Sequence, residues 1–512
     1  MNVLRLVDDL DEDEQRFSVE ELVACSPRCT DAGNADAFVQ RHGQGFRYVL
    51  GWQRWIAWNG QRWEIDGADG RVLQAALLSV REDYALTKLS LAELEEETRK
   101  ARLADKGDDV KELESRAKAV RYVLKWHEQS HNVSRLHAIR TLLQSSLVIE
   151  HCQLDTHPML FNAANGTIDL TTGHIRSHAR EDYLTQMSSV EYDPDAPAPV
   201  WDAFLETSLG GDGAMVNYLQ RIVGFSITGS TEEHVLLFFW GGGNNGKSTF
   251  FTALLSALGD DYGCAAPPDL LFMPRGAGAP HPTEIASLYG KRVASCAELG
   301  EGQRLDEAKV KRLTGGDPIR CRRMNEDWWT FTPTHTIFMS GNHKPTIAGA
   351  DHGIWRRVRL IPWIVTIAAA DVDKRLPQKL RAELAGILAW AVRGCLEWQR
   401  VGFAEPRSVT QATAEYRSES DLVGQFLSAT TVLEPAGRVS LRSLRERYEG
   451  WCKDNGFEVL GGRRFNERLR ELGAVKCSVR AGAAVVDGWR GLRFKSELEL
   501  LVESQPSDAR PS

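Results

Sequence analysis

The sequence predicts an α/β protein: a phosphate-loop core, an α+β region before it and a small domain of two helices and two strands after it. Three observations predict this. Val235–Trp240 is an unbroken apolar run, Gly241–Ser248 (GGGNNGKS) follows, and Thr249–Leu258 carries apolar residues at helical spacing, which reads as buried strand, glycine loop and helix. Before that core, helical stretches alternate with short strands marked by Asn-Gly and Thr-Gly turn pairs. After it, residues 434–495 hold 14 Lys+Arg against 8 Asp+Glu, a local excess of +6 in a chain whose net charge is −8.

The 512 residues suggest roughly three domains. Hydrophobic (42%) and charged (26%) fractions are those of a globular chain. No apolar run approaches the roughly 18 residues of a membrane span, so no membrane partner is expected. The start, MNVLRLVDDLDEDEQRF, is too acidic for a signal peptide. Nine cysteines form an odd, scattered set. Cys25 and Cys29 are close, but no second pair or histidine cluster completes a zinc site. All nine read as reduced thiols of a cytoplasmic protein.

In chain order, residues 1–29 form an acidic arm. Its Asp9 and Asp11 make a D-x-D pair, which reads as solvated charge, because a nucleotidyl-transfer site would need flanking strands and further ligands. Residues 30–193 form the α+β domain. A helix capped by Asp31 or Asn34 leads into a hairpin with Asn59-Gly60 at its turn. Four tryptophans with Arg47, Arg54 and Arg62 suit either a base-stacking surface or the aromatic packing of a small sheet. Leu73–Leu147 is helical, and its charged centre reads as a hairpin turning at Lys106-Gly107-Asp108. Leu154–Tyr192 has short alternating strands. The proline-rich Asp193–Val200 marks a boundary.

The core spans residues 201–430. Glycines bring bare backbone N–H groups to phosphate oxygens, and the helix N-terminus adds a favourable dipole. Gly241, Gly243, Asn245, Gly246, Lys247, Ser248 and Thr249 are therefore the candidate ATP-binding residues. Lys247 would reach the β and γ phosphates, and Ser248 would hold Mg²⁺. Lys291–Glu298 is a second short strand, expected beside the loop strand. Its terminal Glu298 is the candidate for orienting water and the metal shell. Asp306 and Glu307 are weaker candidates. Pro318–Met324 and Trp328–Phe331 read as a basic hairpin with Arg320, Arg322 and Arg323, and Lys309, Lys311 and Arg312 just before it. Such a hairpin suits a phosphate backbone. Thr334–Asn342 is a third strand, with Asn342 placed for the γ-phosphate. Asp351–Trp363 offers Arg356 and Arg357 before another strand.

Taken in order, GGGNNGKS, Glu298, KRLTGGDPI (Lys311–Ile319), Asn342 followed by HKP, and IWRRVRLIPW resemble superfamily 3 helicases. The resemblance is to the phage/plasmid primase-helicase branch that includes the poxvirus primase-helicase. It implies an AAA+-like ATPase that assembles as a hexamer and translocates on single-stranded DNA. It also implies roles: Lys247 and Ser248 as first motif, Glu298 as acidic motif, Lys311–Trp329 as DNA hairpin, Asn342 as sensor, and Arg357 or Arg356 as finger. The acidic motif here carries a single Glu (AEL). Longer relatives carry a primase-polymerase domain before this region. Only about thirty residues precede it here, so priming is expected only with a separate primase or polymerase.

Leu376–Val423 reads as a helical lid with Leu380, Leu384, Ile387, Leu388 and Val392 as its apolar stripe. Residues 435–495 read as helix, turn, helix and two-stranded wing, a winged-helix DNA-binding domain. Arg463, Arg464, Arg468 and Arg490 are its candidate contacts. Residues 496–512 form a polar tail. The functional expectation is a replicative ATP-dependent DNA helicase in a phage or plasmid setting, acting in a bacterial cytoplasm on single-stranded and origin DNA. The alternatives are an ATP-switched origin-binding or loading protein, and the helicase part of a primase-helicase.

Overall fold

The structure is a computed structural model and describes residues 29–267, 270–273, 282–297, 302–322, 328–347, 352–481, 484–496 and 499. The D-x-D pair, Glu298, Arg323 and nearly all of the polar tail lie outside these residues. Among the described residues no helix is long and apolar enough to cross a membrane. The chain divides into two compact units: residues up to 157 with 176–187, and 158–175 with 188–512.

In the first unit, α1 (Asp31–His42) precedes β1 (Phe46–Val49), β2 (Arg54–Trp58) and β3 (Trp63–Ile65), then α2 (Gly70–Leu103), α3 (Gly107–Ser130), α4 (Val133–Ser146) and β4 (Val148–Ile149). The cap of α1 is Thr30, one residue earlier than expected. Its hydroxyl accepts from the Gly33 N–H at 3.0 Å, leaving Asn34 buried and bonded to Ser130. The helices α2 and α3 form the expected hairpin, closed by buried Leu94, Val120 and Val123. The sheet order is β3-β2-β1-β4. Its tryptophans are packing residues, not a stacking platform: Trp55 and Trp63 are fully buried. Arg47 is spent on the Gly43 and Phe46 carbonyls and lies over the Trp63 ring.

The second unit begins with β5 (Leu160–Ala163), β6 (Gly166–Asp169) and β7 (His174–Arg176), followed by α5 (Pro199–Ser208) and α6 (Gly213–Ser226). The chain therefore does not change unit at the proline-rich stretch. Phe161, Ile168 and Leu170 instead join the core that holds Trp201 and Phe250, and Asn162 N–H donates to the Tyr262 hydroxyl at 3.0 Å. The central elements are β8 (Leu236–Trp240), α7 (Lys247–Tyr262), β9 (Gly263–Ala266), α8 (Pro282–Ala286), β10 (Val293–Cys296), α9 (Glu307–Leu313), β11 (Ile319–Cys321), β12 (Trp329–Phe331), β13 (Thr336–Gly341), α10 (His352–Trp355) and β14 (Val358–Pro362).

A five-stranded parallel sheet runs in the order β14-β8-β13-β10-β9, a P-loop-like core. The loop strand β8 has a neighbour on each side and is buried on both faces, which explains the unbroken apolar run. Leu237 and Phe239 enter one core, and Leu236 and Phe238 the other, as strand alternation requires. One expectation is corrected: β10 does not lie beside the loop strand. The strand β13 comes between them, its six buried residues suiting a position covered on both faces.

The lid helices are α11 (Leu376–Ala382), α12 (Leu384–Val401) and α13 (Arg407–Ser420). Where α12 crosses α6, a Cβ on Gly224 would stand 2.0 Å from the Cys395 nitrogen, so this contact admits only glycine. Then come α14 (Leu422–Thr430), β15 (Thr431–Ser440), α15 (Leu441–Asp454), α16 (Gly462–Glu471), β16 (Val475–Ala481) and β17 (Ala484–Phe494), with sheet order β15-β17-β16. This terminal module starts earlier than the expected boundary at 435. Val423, Phe426 and Leu427 of α14 share its core with Tyr448, Phe465 and Trp489.

His335, just before β13, is 2% exposed, and burial pushes its imidazole down to about 4 from an ordinary 6.5. The unfolded chain therefore binds a proton between those values that the fold does not. Stability is full above about pH 6.5 and falls as pH drops toward 4, by about 3 kcal/mol from this group. Urea unfolding of His335→Leu should show a flatter pH profile than the native chain below about pH 6.5.

Candidate phosphate-binding site

The loop between β8 and α7 takes its shape from two left-handed residues, Asn244 (φ 54°) and Gly246 (φ +86°). The second must be glycine for a further reason: a Cβ there would stand 2.7 Å from Ser208 Oγ and 2.9 Å from the Phe204 ring. Gly242 and Gly243 are exposed, with nothing within 4 Å of an added Cβ. The loop is thus packed from beneath and open above, and α7 presents its first-turn N–H groups to the open side.

Asn245 anchors it. Its buried Nδ2 donates to the Gly242 carbonyl at 2.6 Å and the Trp363 carbonyl at 2.9 Å. The Trp363 indole N–H donates back to the Asn245 carbonyl. Gly241 lies so close that a Cβ would stand 2.0 Å from the Trp363 oxygen.

Lys247 is 6% exposed. Its Nζ donates to the carbonyls of Gly241 (2.7 Å) and Gly242 (2.9 Å) and to Asn245 Oδ1 (3.2 Å). Burial lowers its pKa. All three acceptors are neutral, so the ammonium has hydrogen bonds but no counter-charge among the described residues. A desolvated cation beside an open ring of N–H donors fits a phosphate. Ser248 is exposed and Thr249 half-buried in the same turn, which leaves the Ser248 hydroxyl available to a cation. Among the described residues no cluster of His, Cys, Asp and Glu could hold a metal.

Asn342 reaches this site. Gly341 pairs with Trp240 across β13 and β8, so the exposed Asn342 side chain stands beside the loop entrance. The Asn342 backbone carbonyl accepts from Trp240 Nε1 at 3.1 Å. Sequence reasoning missed the neighbours that hold this segment. Lys344 Nζ lies 4.6 Å from the Trp240 ring centroid and pairs with Glu419 of α13 at 2.7 Å. The Tyr416 hydroxyl donates to the Pro345 carbonyl. The HKP triplet was visible, but its partners lie more than seventy residues away.

Other candidates lie elsewhere. Arg356 and Arg357 precede β14, whose parallel register pairs Val358 with Leu236 and Pro362 with Trp240. They sit at the opposite end of the strands from the loop, about 20 Å away along the sheet. Arg356 is exposed. Arg357 is half-buried, donates to the Gly353 carbonyl at 2.8 Å, and has a buried Nε without a partner among the described residues. Asp306 is no catalytic candidate, because its carboxylate caps α9 by accepting from Lys309 N–H at 3.0 Å. Arg320 and Arg322 flank the ring of Trp328 (5.0 and 5.1 Å) on the exposed face of the hairpin. Arg463 pairs with Glu467 at 3.0 Å, and Arg490 is exposed. Arg468 is withdrawn from the contact candidates, because it is tied to Asp421 at 2.6 Å and to Glu471 at 2.8 Å.

Comparison with known proteins gives the family context. Residues 35–210 match the D5 N terminal like family, and residues 239–357 match a family of unknown function, DUF5906. The chain is 25% identical over 327 residues to "Putative helicase L207/L206" of Acanthamoeba polyphaga mimivirus, covering 59% of this chain and 34% of the relative. It is 26% identical over 243 residues to "Putative helicase 022R" of Frog virus 3, covering 43% and 24%. It is 25% identical over 213 residues to "Putative primase C962R" of African swine fever virus, covering 40% and 22%. The matches thus span about a third or less of these relatives. Among solved structures, the apo C-terminal region of NrS-1 aligns over 59% of this chain and 78% of that one, at 12% identity and a TM-score of 0.40. The chain is thus similar to proteins named helicases and primases in large DNA viruses, in agreement with the resemblance read from the motifs.

Asn245→Ala removes both side-chain anchors of the loop and leaves the Trp363 carbonyl buried without that donor. It should cost about 1–3 kcal/mol in denaturant unfolding. Ser248→Ala, at an exposed hydroxyl, should stay within about 0.5 kcal/mol of native.

Proposed function

We propose that the chain is an ATP-dependent DNA helicase of the superfamily 3 type, built on an AAA+-like core and translocating on single-stranded DNA as a ring, most simply a hexamer. The observation that carries this reading is the buried Lys247 ammonium held only by neutral acceptors beside an open phosphate loop. Bound Mg²⁺-ATP would supply the phosphoryl group to be transferred and the cation that screens it. The loop N–H groups hold phosphate oxygens. Lys247 exchanges its carbonyl acceptors for phosphate oxygen, and Ser248 offers its hydroxyl to Mg²⁺. Asn342 directs its carboxamide at the γ-phosphate side of the loop. Glu298 is assigned to orienting the attacking water.

The finger arginine must come from a neighbouring subunit. Arg357 and the loop of one chain lie at opposite ends of parallel strands, too far apart for one side chain to bridge. The exposed pair Arg320 and Arg322 on the hairpin, with Arg323, would follow the DNA backbone. The terminal module has the element order helix, strand, two helices, two strands and a basic excess. These support a winged-helix reading, with origin DNA as its expected partner. A loading switch is the competing reading, and so is dependence on a separate primase or polymerase.

Single-stranded DNA should stimulate ATP hydrolysis and support strand displacement, and Lys247→Ala should abolish both. Arg356→Ala with Arg357→Ala should lower kcat about 10³-fold. Mixing Arg357→Ala chains with Lys247→Ala chains should restore part of the hydrolysis, because some interfaces then join an intact loop to an intact arginine. Full activity of the double arginine variant would sink the shared site. Binding to one duplex sequence without unwinding would favour the loading switch.

A further inference from the structure

A cleft of about 860 Å³ opens where the ATPase core, the end of the lid and the terminal module meet, between α9, α13 and α16. It gathers basic residues from all three. Lys311 comes from α9, Arg304 from the segment before it, Arg417 from α13 and Arg464 from α16. Lys311 and Arg464 are DNA-contact candidates on grounds that have nothing to do with each other: one belongs to a core motif, the other to the terminal module. The fold brings them to one wall-to-wall space and adds two arginines that no motif marks.

The cleft also has acidic lining, and most of those acids are committed. Asp306 caps α9. Asp421 caps α14 and, with Glu471, holds Arg468. Glu467 pairs with Arg463. Among the described residues no carboxylate pairs with Arg304, Arg417 or Arg464, and Arg304 has a buried Nε without a partner. Glu307 also lines the cleft, so its acids and bases are equal in number, and the three arginines are the cations that no carboxylate among the described residues holds. Exposed Met273 and half-buried Leu460 add apolar wall.

We propose that this cleft binds a short stretch of single-stranded DNA by its phosphates, with Arg304, Lys311, Arg417 and Arg464 as contacts. The volume lies in the range that encloses one small organic molecule. That admits a few nucleotides of one strand and not a duplex, whose major groove alone is about 12 Å wide. The arrangement also revises the role of α16. Its Arg464 side faces the ATPase core across the cleft instead of standing clear to enter a groove. The inference rests on the DNA-translocating reading and adds to it a second binding place, separate from the hairpin.

The test is anisotropy of a labelled oligothymidylate on the full chain with a non-hydrolysable ATP analogue, over a series of salt concentrations. Arg417→Ala and Arg464→Ala should each weaken binding about three- to tenfold and lower the salt slope by about 0.7. Arg417→Lys and Arg464→Lys should keep the native slope, which lost packing would not explain. Native affinity and slope in an Arg304→Ala, Arg417→Ala, Arg464→Ala triple variant would overturn the cleft. If Arg320→Ala with Arg322→Ala alone removes binding, the helicase reading stands without it. Failure of the native chain to bind the oligonucleotide would instead sink the function itself. Equal loss of duplex binding in the cleft variants would overturn the single-strand assignment.

Discussion

The site depends on how the phosphate loop is fastened to β14. A loop that presents bare N–H groups upward must satisfy its own carbonyls and side chains from below. Here Asn245 and Trp363 exchange hydrogen bonds, and Gly241 packs directly on the Trp363 backbone. Trp363 is fully buried and packs at a tilt against the rings of Phe250 and Phe239, so the anchor belongs to the hydrophobic core. A buried, fully hydrogen-bonded pair is rigid because each lost bond leaves a desolvated partner. That rigidity lets Gly242 and Gly243 stay open while Lys247 remains buried.

Lys247 shows the consequence. An ammonium in a low-dielectric pocket favours losing its proton or gaining an anion. The lowered pKa and the neutral acceptors describe a charge that is held and uncompensated. A buried ammonium with neutral acceptors suits an anion, and the hydrogen bonds to Gly241 and Gly242 fix the amine at the start of the loop.

Much of this was legible in the chain because the loop motif is local. Strand, glycines and helix are contiguous, and the alternation of Leu236–Phe239 between two cores explains why the run is apolar throughout. The order of motifs carried a resemblance that agrees with the helicase and primase names of the relatives. What could not be read was set by long-range packing. The insertion of β13 between β8 and β10 depends on which strands bury both faces, which no single stretch reveals. The tryptophans of the first unit looked equally suited to stacking or packing until Trp55 and Trp63 proved buried. Arg468 looked like a groove contact because charge on a helix is visible in sequence, whereas its partner Asp421 lies 47 residues away. The roles of Trp363, Lys344 and Glu419 were hidden for the same reason.

Those last residues connect the two ends of the second unit. The segment after Asn342 is held to Trp240 and, through Lys344, to Glu419 near the end of α13. Two residues later Asp421 caps α14 and grips Arg468 of α16. One helix end therefore carries both attachments: the segment after Asn342 on one side and the helix bearing Arg464 on the other. Arg417 lies one turn before Asp421 on the same helix end, so the lining of the cleft and the cap of α14 share this turn.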